Sequence, residues 1–590
     1  MGVRFPSPQH HILCIFSSFL TTTPSNLLYL LYPLSPPLVL ITPTPLGEEH
    51  TDRSPKMSWS DPEKLKTNSR TSVDSNRLVA NTSDAYMPDT MPDHKQAAAE
   101  QIAAMGPEEF QAMEKQLLWK MDLKLIPWMT LLYLLSFIDR VNVGAAKLVG
   151  MTEQLNLTSL QYSNASMIFF VPYVVFEVPS NLLLKRLRPS RWIPFTMVCW
   201  AIFQTTMGLV TNYGQLLALR FCLGLFEAGL FPGLNFYLTG WYKRDEINRR
   251  CAFFFGGAVM AGAFGGILGY GLSKMDGVGG KQGWSWIFII EGLLTLVIAV
   301  ASFWMIHDWP DRARFLTPLE KEMVLIRLKA EQGLASEGSY NKRIVKKAFK
   351  DWKTYCLMLM YIGAAVPLYS GSLFTPTIIA YLGEFTISQS LLLSVPPYVL
   401  MFITTMTTAF LSDKFKRRGF FLMGWSIIGV IGYLLLLTIP IRYPGALYFA
   451  VYVSSAAAGP LIATTIAWTG NTWGNHYKKA ICMGLVFSAG NSGGIVSSQA
   501  YRNKDAPRFL PGHATAMAFF ILNGAMALLL YVMNKRENRR RDEKYGPAPL
   551  PDEVQEYEDP AYQQKWGLEG MTRAEIVELG DDHPAFRYWL

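Results

Sequence analysis

Residues 285–306 read SWIFIIEGLLTLVIAVASFWMI, an apolar run interrupted by one charge, Glu291. A helix needs about 20 such residues to cross a bilayer. Working outward, the same signal recurs near 123–143, 161–184, 191–210, 214–239 and 251–272 on one side. On the other it recurs near 355–381, 389–411, 419–438, 444–467, 479–500 and 514–533. The pattern is six spans, a gap of about fifty residues, then six. It predicts an all-α integral membrane fold of twelve transmembrane helices in two six-helix bundles, 119–306 and 355–533. The gap, 307–354, is a basic linker containing Arg312, Arg314, Lys321, Arg327, Lys346, Lys347, Lys350 and Lys353.

Composition agrees. Half of the 590 residues are hydrophobic and 17% are charged, against roughly 25% charged in soluble domains. The net charge of +9 comes in short clusters between spans, not as the stripe on a folded domain that a nucleic-acid binder carries. The six cysteines have no metal-ligand spacing and read as small hydrophobes. No HExxH, GxSxG or zinc-type cysteine pair occurs, so no enzyme and no cofactor is expected. The glycines of 256–269 read as a close-packing surface; no strand precedes them and no lysine follows, as a phosphate loop requires.

Charge bias sets the expected orientation. The connections on one side carry Lys185, Arg186, Arg188 and Arg191; Lys243, Arg244, Arg249 and Arg250; Lys414, Lys416, Arg417 and Arg418; and Lys478 and Lys479. The opposite connections are poor in cations: Lys147; Lys274 and Lys281; Arg442; then Arg502, Lys504 and Arg508. Positive loops stay inside, so both termini are expected in the cytoplasm. The sequon Asn156-Leu157-Thr158 falls in the first outside loop. Residues 1–56, apolar but broken by Pro24, Pro33, Pro36 and Pro37, read as a dispensable or wrongly predicted extension. Residues 57–118 read as a disordered cytoplasmic tail ending in a short helix, and 534–590 as a cytoplasmic, largely unstructured tail. His476 and His513, at loop edges, read as solvated.

Ionisable groups within spans are costly and usually functional. The first half has Asp139 and Arg140 in span 1, Glu177 in span 2, Arg220 and Glu227 in span 4, and Glu291 in span 6. The second half offers Tyr369, Ser370, Ser372, Thr375, Trp468, Asn491 and Asn523 instead. Ion coupling and charge recognition are therefore expected in the first half, with the second shaping a pocket around an organic cargo. Asp139, Glu177 and Glu227 are the candidate proton-coupling carboxylates. Burial favours the protonated acid and a nearby arginine the ionised one, so a group that exchanges these settings can load and release a proton. Depth along the helices permits a pair of Asp139 with Arg220 or with Arg140. Arg140 and Arg220 are candidate carboxylate ligands because the guanidinium is a planar fork. Asn142, Tyr369, Trp468 and Asn491 are expected to shape the pocket, and Glu291 to be structural.

Two equal halves joined by a basic loop suggest a duplicated transporter. Specific motifs extend this. Leu411-Ser412-Asp413-Lys414-Phe415-Lys416-Arg417-Arg418 resembles the cytoplasmic Asp-basic motif of the major facilitator superfamily, over about residues 120–535. After span 2 the sequence departs from that motif. Glu177-Val178-Pro179-Ser180-Asn181 followed by Lys185, Arg186 and Arg188 is similar to the anion:cation symporter branch, and to its fungal allantoate permease group. Asp139-Arg140-Val141-Asn142-Val143-Gly144-Ala145, Arg220-Phe221-Cys222-Leu223-Gly224-Leu225-Phe226-Glu227 and Asn471-Thr472-Trp473-Gly474-Asn475 point the same way. The resemblance implies the major facilitator fold and proton-coupled uptake of a small organic anion such as nicotinate, allantoate or pantothenate. It also implies a cytoplasmic gate made by Asp413, Arg417 and Arg418, a monomer, and residence in the plasma membrane. Export of a metabolite or drug, and nutrient sensing without transport, are the alternatives.

Overall fold

The computed structural model describes residues 104–336, 342–383, 385–547 and 559–590, together with 98, 100–102 and 557. The expectations for 1–56 and for most of 57–118 lie outside these residues. The described residues form helices and no strand.

Helix α1 (Pro107–Ala146) opens on a proline, with Glu108 and Glu109 in its first turn, where acidic side chains meet the exposed amides. Its forty residues span about 60 Å at the helical rise, twice a bilayer core, so it extends well beyond the expected start at 119. Then follow α2 (Ser159–Met167 continuing as Phe170–Arg186), α3 (Pro189–Met207), α4 (Tyr213–Glu227 continuing as Leu230–Thr239), α5 (Arg244–Ser273) and α6 (Gly283–Met305). The second set is α7 (Trp352–Leu382), α8 (Ile387–Leu393 continuing as Val395–Phe415), α9 (Arg418–Thr438), α10 (Pro444–Thr472), α11 (His476–Ala500) and α12 (Leu510–Tyr545).

Among the described residues, ten helical stretches are long and apolar enough to cross a membrane. Helices α2 and α3 are outside that set. A break at 168–169 divides α2, which also carries Glu177, Lys185 and Arg186; α3 is only 19 residues long and begins with Arg191 and Pro194 inside it. Both are nevertheless built into the bundle, α3 along α6 and α2 against α4 and α11.

The packing repeats with an offset of six helices. α1 lies along α5 and α7 along α11; α3 pairs with α6 and α9 with α12; α2 meets α4 and α8 meets α10. The contacts between halves obey the same rule: α5 packs on α8, and α11 on α2, while α1 meets α7 at the centre. Two like halves packed about a central axis account for this pattern. At the seam, Gly144 of α1 faces the Leu373 carbonyl so closely that any Cβ would collide with it.

The linker is helical at Pro318–Ser336 and Lys342–Lys350. The first of these is clamped to the N-terminal half. The buried Arg327 reaches Glu114 at 2.6 Å and Glu246 at 2.5 Å, and Lys120 pairs with Glu320 at 2.8 Å. The ends of α1, α5 and α7 that meet the linker are termed the linker end; the opposite face is the distal end.

The C-terminal tail differs from expectation. It folds. Helices Pro560–Trp566 and Arg573–Leu579 enclose Trp566, Leu568, Ile576 and Ala585 in a small apolar core. Asp581 then docks on Lys478 at 2.9 Å and Lys353 at 3.6 Å, with Asp351 completing the cluster through Lys478 at 2.8 Å. The high charge content concealed widely spaced apolar residues that find partners only in three dimensions. His513 is also corrected: it is buried, 3.2 Å from the Tyr501 hydroxyl.

Candidate functional site

The chemistry gathers on α1. Ser136 and Arg140, one turn apart, face α4. Both donate to Glu227 Oε1, the Ser136 hydroxyl at 2.6 Å and Arg140 Nε at 2.8 Å, and Arg140 Nη2 closes an ion pair at 2.7 Å. The guanidinium is flanked by aromatic rings, 4.8 Å from the centroid of Phe137, 4.7 Å from Tyr173 and 5.4 Å from Phe169. These rings attract the cation and leave the edge held by Glu227 as its anionic contact. Proximity to Arg140 is where the sequence could have flagged Phe137, one turn earlier on the same face.

Asp139 does not join that pair. Adjacent residues on a helix point about 100° apart, so Asp139 turns to α3 and accepts from Trp200 Nε1 at 3.2 Å. The expected ion pairs of Asp139 with Arg140 or Arg220 are not formed; Arg140 takes Glu227. Arg220 is buried in α4, with Nε and Nη2 lacking a hydrogen-bond partner, as do Asp139 Oδ1 and both amide atoms of Gln204. These groups give the N-terminal half a reserve of unsatisfied polar atoms, unusual in a folded interior. Asn142 donates to Glu291 Oε2. That bond ties α1 to α6 and gives Glu291 a helix-clamping contact.

Glu177 lies at the seam. Asn491 Nδ2 of α11 donates to Glu177 Oε2 at 3.1 Å, and the Tyr369 hydroxyl of α7 donates to Asn491 Oδ1 at 2.9 Å. A polar chain thus runs from a carboxylate in one half to a phenol in the other. Phe170 stacks edgewise on Tyr369 with centroids 5.0 Å apart, adding an apolar contact across the same seam.

Trp468 is elsewhere. It lies near the linker end of α10, fully buried, and its Nε1 donates to the Trp589 carbonyl in the tail at 3.1 Å. The tail claims a side chain expected in the pocket. Trp589 also lies 5.0 Å beneath the Arg418 guanidinium. Arg418, buried, reaches Asp413 Oδ1 at 3.1 Å, whereas Arg417 is exposed. Of the three expected gate residues, two are joined.

Two cavities adjoin the chemistry. One, small in this closed packing, lies between the halves, bounded by Phe137 and Val141 of α1, Phe255 of α5, and Leu368, Ser372 and Tyr398. Another, also small, continues into the C-terminal half past Tyr398, Thr375, Tyr433 and Ser454. Phe137 is the shared wall, with the first cavity on one side and Arg140 on the other. Among the described residues no group of His, Cys, Asp or Glu could hold a metal ion.

The comparisons with known proteins agree with this architecture. Residues 129–498 match the Major Facilitator Superfamily. An uncharacterized transporter of Schizosaccharomyces pombe is 34% identical over 432 residues, covering 73% of this chain and 86% of the relative. The MFS-type transporter cnsO of Penicillium expansum is 33% identical, covering 81% and 91%. The high-affinity nicotinic acid transporter of Saccharomyces cerevisiae is 31% identical, covering 74% and 80%. Among solved structures, a bacterial homolog of the human lysosomal transporter Spinster, in an inward-facing and occupied conformation, aligns with a TM-score of 0.52 at 15% identity, over 70% of this chain and 96% of that one; this likeness is one of fold. Doubled six-helix halves, buried charge at their seam and a family match over most of the helical core lead to one conclusion: the chain belongs to the Major Facilitator Superfamily and is a multi-pass membrane transporter of small molecules, not an enzyme.

Proposed function

We propose that the chain takes up a small organic anion together with a proton, as members of the allantoate permease group do, with a monocarboxylate such as nicotinate as the leading substrate class. The observation that carries this reading is the buried pair of Arg140 and Glu227 beside the cavity between the halves. Arg140 is the natural ligand for a substrate carboxylate, and Glu227 already occupies that position. A proton on Glu227 releases Arg140; an incoming carboxylate replaces it. Empty, the site is neutral as Arg140 cation with Glu227 anion. With both proton and anion it is neutral again. The anion alone leaves the site one charge negative, and the proton alone one charge positive. Closing the halves over an unbalanced buried charge is expensive, so the neutral states are the ones that cross. One proton per monoanion follows.

Asp139 and Glu177 are the further acidic sites. Glu177 is bonded across the seam, so its protonation would alter a contact that must break when the halves rock. Tyr369 and Asn491 position this network, Asn142 ties α1 to α6 through Glu291, Arg220 offers a second guanidinium, and Asp413 with Arg418 holds the gate at the linker end. The relative named for nicotinic acid supports the substrate class. On this reading the linker end is cytoplasmic, both termini are inside, the membrane is the plasma membrane, and the unit is a monomer without nucleic-acid partners.

The test is uptake of labelled nicotinate, allantoate, pantothenate and biotin by cells expressing the full chain, at acidic and neutral external pH. Faster uptake of one compound at acidic pH, abolished by a protonophore, supports the reading. Resistance to a compound without any uptake favours an exporter. Signalling from a transport-dead variant favours a sensor.

A further inference from the structure

We propose that the second linker helix, Lys342–Lys350, is a site for anionic phospholipid, with Lys346 and Lys350 holding headgroups of the leaflet at the linker end. The partner is the membrane itself, so the inference stands apart from the choice of transported substrate.

The helix reads KRIVKKAFK, with five basic residues and no acid. At about 100° per residue these positions divide into three sides. Ile344 and Ala348, one turn apart, are buried, and the helix packs on α11. Lys347 turns to the tail and pairs with Asp582 at 2.9 Å. The remaining side carries Lys346, Phe349 and Lys350, which lie within an arc of about 100° and are all exposed. Among the described residues no ion pair engages Lys346 or Lys350. The first linker helix differs, since its buried Arg327 is claimed by Glu114 and Glu246.

This side lies at the bilayer surface. α7 begins at Trp352 and has 31 residues, a rise of about 46 Å. A bilayer offers about 30 Å of hydrocarbon and about 40–45 Å with its headgroups. The first turn of α7 is therefore at headgroup depth, and the linker helix joins it through Asp351 alone. On α7, Trp352, Tyr355 and Leu359 are exposed at spacings of three and four, which is one face of a helix. That apolar stripe is turned to lipid. It reaches Phe349, whose carbonyl accepts from the Tyr355 hydroxyl at 2.8 Å, while the Thr354 hydroxyl donates to the Ala348 carbonyl at 3.2 Å. Both bonds satisfy carbonyls left open at the end of the linker helix, and they fix its angle to α7. Tryptophan and tyrosine favour the membrane interface, and a lysine beyond them lays its stem on apolar surface with its ammonium among the headgroups. A lipid whose tails lie along Trp352 and Phe349 has its headgroup beside Lys346 and Lys350. The charge selects an anionic headgroup over a zwitterionic one, at about fivefold in affinity per lysine. An acidic peptide would use the two lysines but leave Phe349 and Trp352 in water.

The experiment is calorimetric titration of the detergent-purified full chain with four probes: dioctanoyl phosphatidylserine, dioctanoyl phosphatidylcholine, inorganic phosphate and an oligoglutamate peptide. Wild type should bind phosphatidylserine more tightly than phosphatidylcholine by at least about tenfold. Lys346→Gln combined with Lys350→Gln should lose about 25-fold in phosphatidylserine affinity and keep phosphatidylcholine within about twofold. Lys346→Arg combined with Lys350→Arg should match wild type, because the charge is kept. If the double glutamine variant melts below wild type, the single variants decide on the same terms, each at about fivefold. Equal affinity of wild type for the two lipids overturns the site, and so does an unchanged phosphatidylserine affinity in the glutamine variants. Inorganic phosphate binding as tightly as phosphatidylserine makes this a free-anion site and overturns it. Oligoglutamate binding in place of the lipid assigns the face to an acidic protein segment and overturns it too.

Discussion

The interior of α1–α6 holds Asp139, Arg140, Glu177, Arg220, Glu227 and Glu291, all buried, whereas the interior of α7–α12 presents Tyr369, Thr375, Asn491 and Asn523. The second half has buried charges as well, but at its linker end, where Asp351, Lys478 and Arg418 receive the folded tail. The same helix packing thus carries two uses of charge. In the first half, ions are kept deep, where their burial is costly and where a change of protonation or of ligand has leverage. In the second, they fasten a peripheral segment and leave the interior to hydroxyls, amides and rings.

The strongest way to break this comparison is at Arg140. Arg140→Ala strands Glu227 with Ser136 as its remaining contact, and removing one partner of a buried pair typically costs about 3–5 kcal/mol. Uptake should fall by more than about a hundredfold at equal surface expression. Glu227→Gln probes the other partner. It keeps the shape and removes the carboxylate, so exchange of labelled for unlabelled anion should persist while accumulation driven by a pH gradient is lost. Accumulation by Glu227→Gln would move the coupling proton to Asp139, and Asp139→Asn would be the deciding variant.

A smaller effect is expected at the seam. Asn491→Ala removes both the donor to Glu177 and the acceptor for Tyr369. Two hydrogen bonds are lost, one of them to a carboxylate, and a reduction in uptake of about tenfold is the expected scale. Tyr369→Phe removes one bond and should fall between this variant and wild type. If Tyr369→Phe were the more damaging, the phenol would be acting on substrate directly instead of through Asn491.

What the sequence made legible followed from composition and periodicity. Twelve apolar segments in two sets give the architecture, and isolated charges within them mark the candidate site. Orientation about a helix axis was legible only where two residues shared a face. Asp139 and Arg140 are neighbours in sequence, yet they serve α3 and α4 respectively, and no periodic argument selects Trp200 and Glu227 as their partners. Trp468 illustrates the other limit. Its role is set by Trp589, 121 residues away, in a tail whose charge content hid its capacity to fold. The cation-flanking rings were hidden for a different reason: Phe169 and Tyr173 look like any other apolar residue of a span until the guanidinium beside them is seen.

The tail should influence transport least, and it separates the two uses of charge by pH. Asp351 precedes α7. Burial pushes its carboxyl up, but Lys353 and Lys478 outweigh that and hold it below the usual carboxylate range. A depressed carboxylate contributes its stability above its unfolded pKa and loses it only in stronger acid, so this anchor should be constant from about pH 5 to 8. His583 behaves oppositely. Burial, with Arg541 nearby, pushes its imidazole down to about 4, and its Nδ1 accepts from the Ala585 amide at 3.0 Å, which a proton there would prevent. The unfolded tail takes up a proton near the ordinary value of about 6.5, while the docked tail does not until about 4. Docking is therefore full above that ordinary value and weakens as pH falls through the window between the two. Limited proteolysis of the tail in detergent-solubilised protein should accelerate by about tenfold between pH 7 and 5. His583→Gln should flatten that profile, since an amide can keep the bond without titrating. Uptake by this variant should stay within about twofold of wild type. A steep pH profile that survives His583→Gln would place the titrating group in the Asp351, Lys478 and Asp581 cluster, and the charges at the linker end would then be sensing protons as those of the first half are proposed to do.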